Sequence, residues 1–333
     1  MMSSQDGPPP SLEPPPWTVL ALPPLPHEVL AGLFADPRTR LVTPAERTQD
    51  AVAALLPEAD VVIGDWSPSL RLSDPGPRVC FVQQPSVGVD GIDVDACAAA
   101  GVPVSNCAGA NTVSVAEWCL SATLALLRRT VEADAAVRRG EWPQTSLGSR
   151  ELAGSRVGVV GMGPIGRRTA ELFAALGCDV GYWSRNRHAD APVPYLELDD
   201  LLAGADVVVL VIALGDQSRG LLDAERLGCV KPSALVVNAA RGEVVDEPAL
   251  VAALSEGRVG GAALDVFAAE PLPAGSPLRS LPNVLLSPHA AGSTGQAAMR
   301  ILGATTANLQ RVLDGEPVAD VVNGVDPHVR RRV

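Results

Sequence analysis

The chain is most constrained by Gly161-Met162-Gly163-Pro164-Ile165-Gly166, a glycine-spaced turn set between a strand and a helix. Before it, Arg156-Val157-Gly158-Val159-Val160 reads as a short buried strand. After it, residues 167–176 have helical composition and stop at Gly177, a natural C-cap. In that context a G-x-G-x-x-G spacing has a mechanism. Gly161 permits the tight turn, Gly163 lets the backbone approach a pyrophosphate, and Gly166 lets helix and strand pack closely. With Pro164 and Ile165 the turn opens a helix whose N-terminus offers unpaired N–H groups and a partial positive charge to phosphates. The turn therefore predicts a dinucleotide site at the centre of a Rossmann-type unit.

At 333 residues, with 47% hydrophobic content, the chain has the length of two domains and enough apolar residues for two cores. Strands are expected at residues 17–22, 41–42, 60–63, 79–82 and 102–104, then at 157–160, 180–183, 206–212, 235–238, 261–265 and 283–286. Helices are expected at residues 27–34 and 45–56. A single long amphipathic helix is expected at 114–139, and another from Ser293 or Thr294 to about residue 313. Residues 317–322 are expected to return as a strand to the first sheet. Strands alternating with helices at this spacing imply parallel sheets covered on both faces. The expected fold class is α/β with two doubly wound parallel-sheet domains. A Rossmann cofactor domain at residues 109–289 is inserted into a flavodoxin-like substrate domain formed by residues 17–108 and 290–333.

The first 16 residues are rich in proline and serine and read as a disordered tail. They lack the positive n-region and apolar h-region of a secretory signal, and none is expected. No further regulatory domain is expected after Val322. A net charge of −12 argues against nucleic acid or an anionic membrane surface as a partner. No apolar run is long enough for a membrane helix. The six cysteines, Cys80, Cys97, Cys107, Cys119, Cys178 and Cys229, form no C-x-x-C pair, so reduced thiols in a cytoplasmic protein are expected and a metal site is not. Lysine occurs once, at Lys231 in a turn before Pro232, which makes Schiff-base chemistry improbable.

Downstream of the glycine turn, three polar groups stand after successive strands in apolar surroundings: Arg241 in VVNAARG, Glu270 in DVFAAEP and His289 in LSPHAAG. Ligands of open α/β sheets collect at the carboxyl ends of strands, where these three would lie. Arginine, always charged and forked, can hold a carboxylate or polarise a carbonyl. Histidine, with a reference pKa of ~6.5, can supply the proton that accompanies a hydride. A carboxylate bonded to that imidazole stabilises its protonated form.

These residues carry a resemblance to the D-isomer-specific 2-hydroxyacid dehydrogenases. The matching segments are the turn at 161–166, VVNAARGEVV (236–245), GAALDVFAAEPLP (261–273) and SPHAAGST (287–294), with QQPSVGVDGID (83–93) and NCAGANTVSVAE (106–117) ahead of them. The resemblance implies Arg241, Glu270 and His289 as the catalytic trio. It also implies a contact of Asp265 with the nicotinamide carboxamide, and a substrate carboxylate held by the backbone N–H groups of Val87 and Gly88 together with Arg241. Ala239 and Gly292 fall in the implied cofactor site. The implied activity is reduction of a small 2-oxo acid, such as glyoxylate or hydroxypyruvate, to the D-2-hydroxy acid, in a homodimer with residues 114–139 as a candidate interface. The other implied reading is a dinucleotide-gated protein-binding member of the same fold.

The second strand of the cofactor unit ends at Ser184, about 20 positions past the glycine turn, where NAD enzymes carry an acidic residue. Ser184, Arg185 and Arg187 offer a hydroxyl and two guanidiniums instead, which favours NADPH over NAD. Two departures from the family pattern are evident. Ala213-Leu214-Gly215-Asp216 replaces a usual Pro-Leu-Thr segment, and Trp118 stands where histidine is common. The substrate loop carries no lysine, which argues against phosphite oxidation.

Overall fold

The computed structural model describes residues 15–66 and 70–332. Of the expected N-terminal tail, residues 1–14 lie outside the described residues. The chain divides into two compact units, one made of the residues up to Ala110 with those from Met299 onward, the other of Asn111–Ala298.

The first unit runs β1 (Trp17–Ala21), α1 (His27–Leu33), β2 (Thr39–Val42), α2 (Gln49–Leu55), β3 (Val61–Ile63), β4 (Phe81–Gln83), α3 (Val94–Ala99) and β5 (Val104–Ser105). Its sheet is parallel, in the order β2-β1-β3-β4-β5. Successive residues of a strand serve opposite faces. Leu20 and Val62 join one apolar cluster, and Val19, Val61 and Ile63 join the other. Burying one such side chain stabilises by roughly 1.5–3 kcal/mol, so a short strand apolar at every position is stable only when both faces are covered. The α2 helix starts at Gln49 rather than at residue 45, because the extended Thr48 caps it by accepting a hydrogen bond from the Ala51 N–H at 3.3 Å.

The second unit runs α4 (Thr112–Leu127), α5 (Thr130–Arg138), β6 (Arg156–Val160), α6 (Pro164–Ala175), β7 (Asp179–Trp183), α7 (Leu198–Gly204), β8 (Val207–Leu210), α8 (Ala224–Cys229), β9 (Leu235–Asn238), α9 (Glu247–Ser255), β10 (Gly261–Leu264) and β11 (Val284–Leu286), and the chain leaves it through α10 (Gly295–Asp314). Its sheet is parallel in the order β11-β10-β9-β8-β6-β7. The strand order reverses at β6, which has β7 on one side and β8 on the other. The turn leaving the carboxyl end of β6 therefore sits at the switch point of the sheet, where doubly wound folds bind ligands.

Two expectations are corrected. The single helix at 114–139 is two helices. Arg129 adopts φ +50° between them, and the carbonyls ending α4 are taken from elsewhere: Arg150 N–H donates to Leu127 O at 2.9 Å and the Ser149 hydroxyl to Arg128 O at 3.1 Å. Residues 317–322 form no strand. Asp320 has φ +56°, which ends any extended run, and a single antiparallel bridge joins Ser105 to Val321.

Candidate active site

The glycine turn is built as its spacing predicts. Gly161 has φ +108°, and a Cβ there would lie 2.7 Å from the Val211 carbonyl oxygen. A Cβ on Gly166 would lie 2.0 Å from the Gly161 oxygen, so α6 approaches the turn as closely as it does only because that position has no side chain. Gly163 differs. It has φ −75°, any residue could adopt its backbone, and a Cβ would meet nothing within 4 Å. Nothing in the chain demands a glycine there, whereas a pyrophosphate lying against the turn would. Pro164 occupies the first position of α6, and no side chain caps that helix, so its first N–H groups have no side-chain partner. The turn fits a dinucleotide.

At the end of β7 the side chains are arranged less simply. Ser184 is buried, and its hydroxyl donates to Asn186 O at 2.6 Å, shaping the turn. Arg185 is exposed. Arg187 pairs with Glu197 at 2.8 Å and stacks on the Tyr195 ring at 4.2 Å. In the Ala213–Asp216 segment, the buried Ser218 hydroxyl donates to Ala213 O and accepts from Gly215 N–H, both at 2.8 Å, and so closes the turn that lacks the usual proline. Trp118 packs against the apolar cluster under α4.

Three adjacent strands then present the polar trio at their carboxyl ends: Arg241 after β9, Glu270 after β10 and His289 after β11. His289 Nδ1 lies 2.8 Å from Glu270 Oε2. Glu270 is fixed from behind, its Oε1 accepting the Phe267 N–H at 3.0 Å. Burial alone would raise the Glu270 carboxyl pKa, but the His289 and Phe267 bonds and the Arg241 charge hold it below its ordinary value. The Glu270 carboxylate in turn raises the His289 pKa, against burial and the repulsion of Arg241. Arg241 thus stands close enough to act on both. Its backbone is set by Asn238, which accepts from Ala240 N–H and donates to Arg241 O, each at 3.0 Å. The next residue, Gly242, abuts the Phe267 carbonyl carbon, where a Cβ would come within 1.9 Å. With Nδ1 on Glu270, the imidazole of the half-exposed His289 keeps Nε2 for a substrate.

Asp265 is buried, and its carboxylate is occupied by the loop that carries the histidine. Oδ1 accepts Ser287 Oγ and the Ala290 N–H, and Oδ2 accepts the Ala291 N–H at 2.8 Å. Ala239 continues β9 with its N–H on Leu210 O, and Gly292 lies against Asn111, whose amide nitrogen would be 2.7 Å from a Cβ. Sequence reasoning missed Asn238, Ser218 and Ser287, whose hydrogen bonds go to neighbouring loop backbone or to Asp265. A polar residue in an otherwise apolar strand end was the available signal.

In the first unit, Val87 and Gly88 form a turn whose carbonyls are claimed from behind. Asn106 Nδ2 donates to Val87 O at 2.7 Å, Ser86 Oγ to Gly88 O at 2.7 Å, and Cys107 N–H to Ser86 O at 2.9 Å. The N–H groups of Val87 and Gly88 hold no hydrogen bond among the described residues. Fixed carbonyls with free N–H groups make an anion-binding nest. No group of histidine, cysteine and acidic side chains suited to a metal ion occurs among the described residues, and no helix there is long and apolar enough to cross a membrane.

Comparison with known proteins gives these features a context. Residues 120–291 match the family model described as D-isomer specific 2-hydroxyacid dehydrogenase, NAD binding domain. The chain is 39% identical over 259 residues to a glyoxylate reductase of Aeropyrum pernix, covering 74% of this chain and 77% of that one. It is also 39% identical over 281 residues to the D-3-phosphoglycerate dehydrogenase of Mycobacterium tuberculosis, covering 83% of this chain but 53% of that protein, so it spans about half the length of that relative. A solved NADPH-dependent glyoxylate/hydroxypyruvate reductase of Sinorhizobium meliloti, in complex with NADP and malonate, superposes with a TM-score of 0.81 at 25% identity, covering 95% of this chain and 99% of that one. The chain belongs to the D-isomer specific 2-hydroxyacid dehydrogenase family.

Proposed function

We propose that this protein reduces a small 2-oxo acid to the D-2-hydroxy acid at the expense of NADPH. The observation that carries the reading is the Glu270–His289 pair at 2.8 Å, with Arg241 acting on both, on three adjacent strands of the sheet that bears the glycine turn. A reduced nicotinamide, when bound, supplies a hydride. Gly161, Gly163, Pro164, Ile165 and Gly166 would hold its pyrophosphate, and Ala239 and Asp265, directly after β9 and β10, and Gly292, in the loop after β11, would line the rest of its site. Arg241 polarises the 2-oxo group. His289, protonated at Nε2, gives its proton to the carbonyl oxygen as the carbon receives the hydride, and Glu270 stabilises the imidazolium until the proton leaves. In the first unit, the N–H groups of Val87 and Gly88 suit a substrate carboxylate; in the second, the Arg241 guanidinium suits one too. The small residues of the Val87–Gly88 turn suit glyoxylate or hydroxypyruvate.

The cofactor preference rests on the end of β7, where Ser184 replaces a carboxylate that would repel a 2′-phosphate. Arg185 is exposed and offers the first charged contact, at roughly 1.5–3 kcal/mol per charge-assisted hydrogen bond. Arg187 is tied to Glu197, but both side chains are exposed and such pairs are worth about 0–1 kcal/mol, so a phosphate can compete for it. Free thiols at all six cysteines support a reducing, cytoplasmic compartment. Exposed Val131, Val137 and Trp142, on and beyond α5, support a homodimer interface there.

The test follows NADPH oxidation with a panel of 2-oxo acids, comparing wild type with His289→Ala. Turnover by the wild type and its loss in the variant are expected. Turnover that survives in the variant would refute His289 as the proton donor, and none with any acid would refute the enzymatic reading.

A further inference from the structure

Within the first unit, residues 325–332 lie at the amino end of the sheet, and one buried carboxylate anchors them. Asp60, directly before β3, is fully buried and accepts from the Thr18 N–H at 2.9 Å, Arg78 at 2.9 Å and Arg331 at 2.8 Å. Burial alone would raise its pKa, and the bonds from Arg331, Thr18 and Arg78 hold it below the ordinary value. Arg331 also donates to the Pro15 and Pro16 carbonyls, and its guanidinium lies 5.1 Å from the centre of the Trp17 ring. That arginine is fully engaged by the fold. Its neighbours are not. Arg330 is exposed and holds no hydrogen bond among the described residues, and Arg332 donates only to Ala100 O. The backbone N–H groups of residues 329–332 hold none either among the described residues.

These residues border a recess of about 470 Å³, whose lining also includes the apolar Pro103, Val325 and Val329. Asp326 borders it too, but its carboxylate is taken by the N–H and Nδ1 of His328, both at 2.9 Å. Among the charged groups that line the recess or pair with those that do, four are guanidiniums, of Arg78, Arg330, Arg331 and Arg332. Two are carboxylates, of Asp60 and Asp326, which leaves two positive charges in excess on a chain of net charge −12. Like charges gathered this closely repel one another unless an anion joins them. The geometry points to a binding site for a small organic phosphate. Its dianionic head lies on Arg330, Arg332 and the N–H groups of residues 329–332, and its carbon body lies against Pro103, Val325 and Val329. A phosphate monoester carries about −1.5 to −2 charges at pH 7, which matches the excess, whereas a carboxylate brings one. Guanidinium forks and backbone N–H groups suit its three oxygens. The volume falls within the roughly 300–1,000 Å³ of small-molecule sites and leaves room beyond the head. The site is distinct from the nest at Val87 and Gly88, which follows the carboxyl end of β4, at the other edge of the same sheet.

Calorimetric titration of the full chain in phosphate-free buffer tests this, with phenyl phosphate, inorganic phosphate and benzoate as probes and hydrogen exchange by mass spectrometry to locate the bound probe. Phenyl phosphate is expected to bind once per chain with a Kd below about 1 mM, at least threefold tighter than inorganic phosphate and tenfold tighter than benzoate. It is expected to slow exchange in residues 325–332 and not around Val87 and Gly88. Arg330→Gln, at a side chain the fold does not use, should weaken phenyl phosphate at least threefold, and Arg330→Gln combined with Arg332→Gln at least tenfold. Should the double variant fail to fold, Arg330→Gln decides alone. No binding of phenyl phosphate, binding unmoved by the variants, or protection confined to the Val87–Gly88 turn would overturn the site. Inorganic phosphate bound as tightly as phenyl phosphate would mark an adventitious ion only, and benzoate bound as tightly would overturn the dianionic head. None of these readouts needs turnover, so the site is decided whether or not the proposed function holds.

Discussion

Replacing Gly163 and Gly166 in turn by alanine separates a glycine required by a ligand from one required by the fold. At Gly166 the new Cβ would stand 2.0 Å from the Gly161 oxygen and 2.9 Å from its carbon, backbone atoms that move only if α6 shifts outward. Forced overpacking of this kind costs about 1–3 kcal/mol. For a unit of this size Tm falls roughly 2–4 °C per kcal/mol, so Gly166→Ala should lower Tm by about 2–12 °C. At Gly163 the backbone is already ordinary and the space around it empty. Alanine there restricts the unfolded chain and should leave Tm unchanged or raise it by about 1–4 °C, from a gain of ~0.4–1 kcal/mol. Its methyl group would nevertheless stand where the proposed site brings the pyrophosphate to the turn. A tenfold weaker NADPH Kd, about 1.4 kcal/mol, is the least effect expected. Thermal unfolding without cofactor and titration of NADPH fluorescence measure the two effects separately. A Gly163→Ala protein that binds NADPH within twofold of wild type would refute the placement of the pyrophosphate over that residue.

Other expected outcomes follow from the same geometry. In the reducing direction the donor must be protonated, so activity is retained below the His289 pKa and lost as pH rises through it. Because Glu270 raises that pKa, the basic limb of kcat/KM should lie above the ordinary imidazole value, and Glu270→Gln should bring it to lower pH; an unmoved limb would show that the pair does not set the donor. Arg185→Ala should cost at least tenfold in kcat/KM for NADPH and little for NADH, with a smaller loss for Arg187→Ala, which gives up an existing partner; equal effects on both cofactors would exclude 2′-phosphate recognition there. Phe173 is fully buried in α6, so Phe173→Ala should destabilise the protein by roughly 3–5 kcal/mol in denaturant unfolding, and a cost under about 1 kcal/mol would contradict its place in the core.

Much of this architecture was legible because parallel strands buried on both faces read as apolar runs, and because the glycine turn has a fixed place between strand and helix. Val207–Leu210 and Leu235–Asn238 show the pattern directly. The break at Arg129 was not legible. No glycine or proline marks it, and the groups that stabilise it, Ser149 and Arg150, lie some twenty residues later in the chain. The same holds for Asp320, whose left-handed turn replaces an expected strand with one bridge. The trio Arg241, Glu270 and His289 could be picked out because each is a polar residue after an apolar strand. What the sequence could not reveal is what each one touches. Asp265 turned out to be engaged by the His289 loop, and Arg187 by Glu197 and Tyr195, through contacts that depend on how the loops close.

The proposed delivery of a hydride and a His289 proton to a 2-oxo acid is read from the product itself when the reaction is run with NADPH deuterated at the nicotinamide C4, each face in a separate run, and the product is analysed by chiral chromatography and mass spectrometry. A D-2-hydroxy acid carrying one deuterium at C2 from one of the two labelled cofactors is expected, with turnover reduced at least a thousandfold in His289→Ala. An L product, a product without deuterium from either cofactor, or a His289→Ala enzyme of wild-type rate would contradict it.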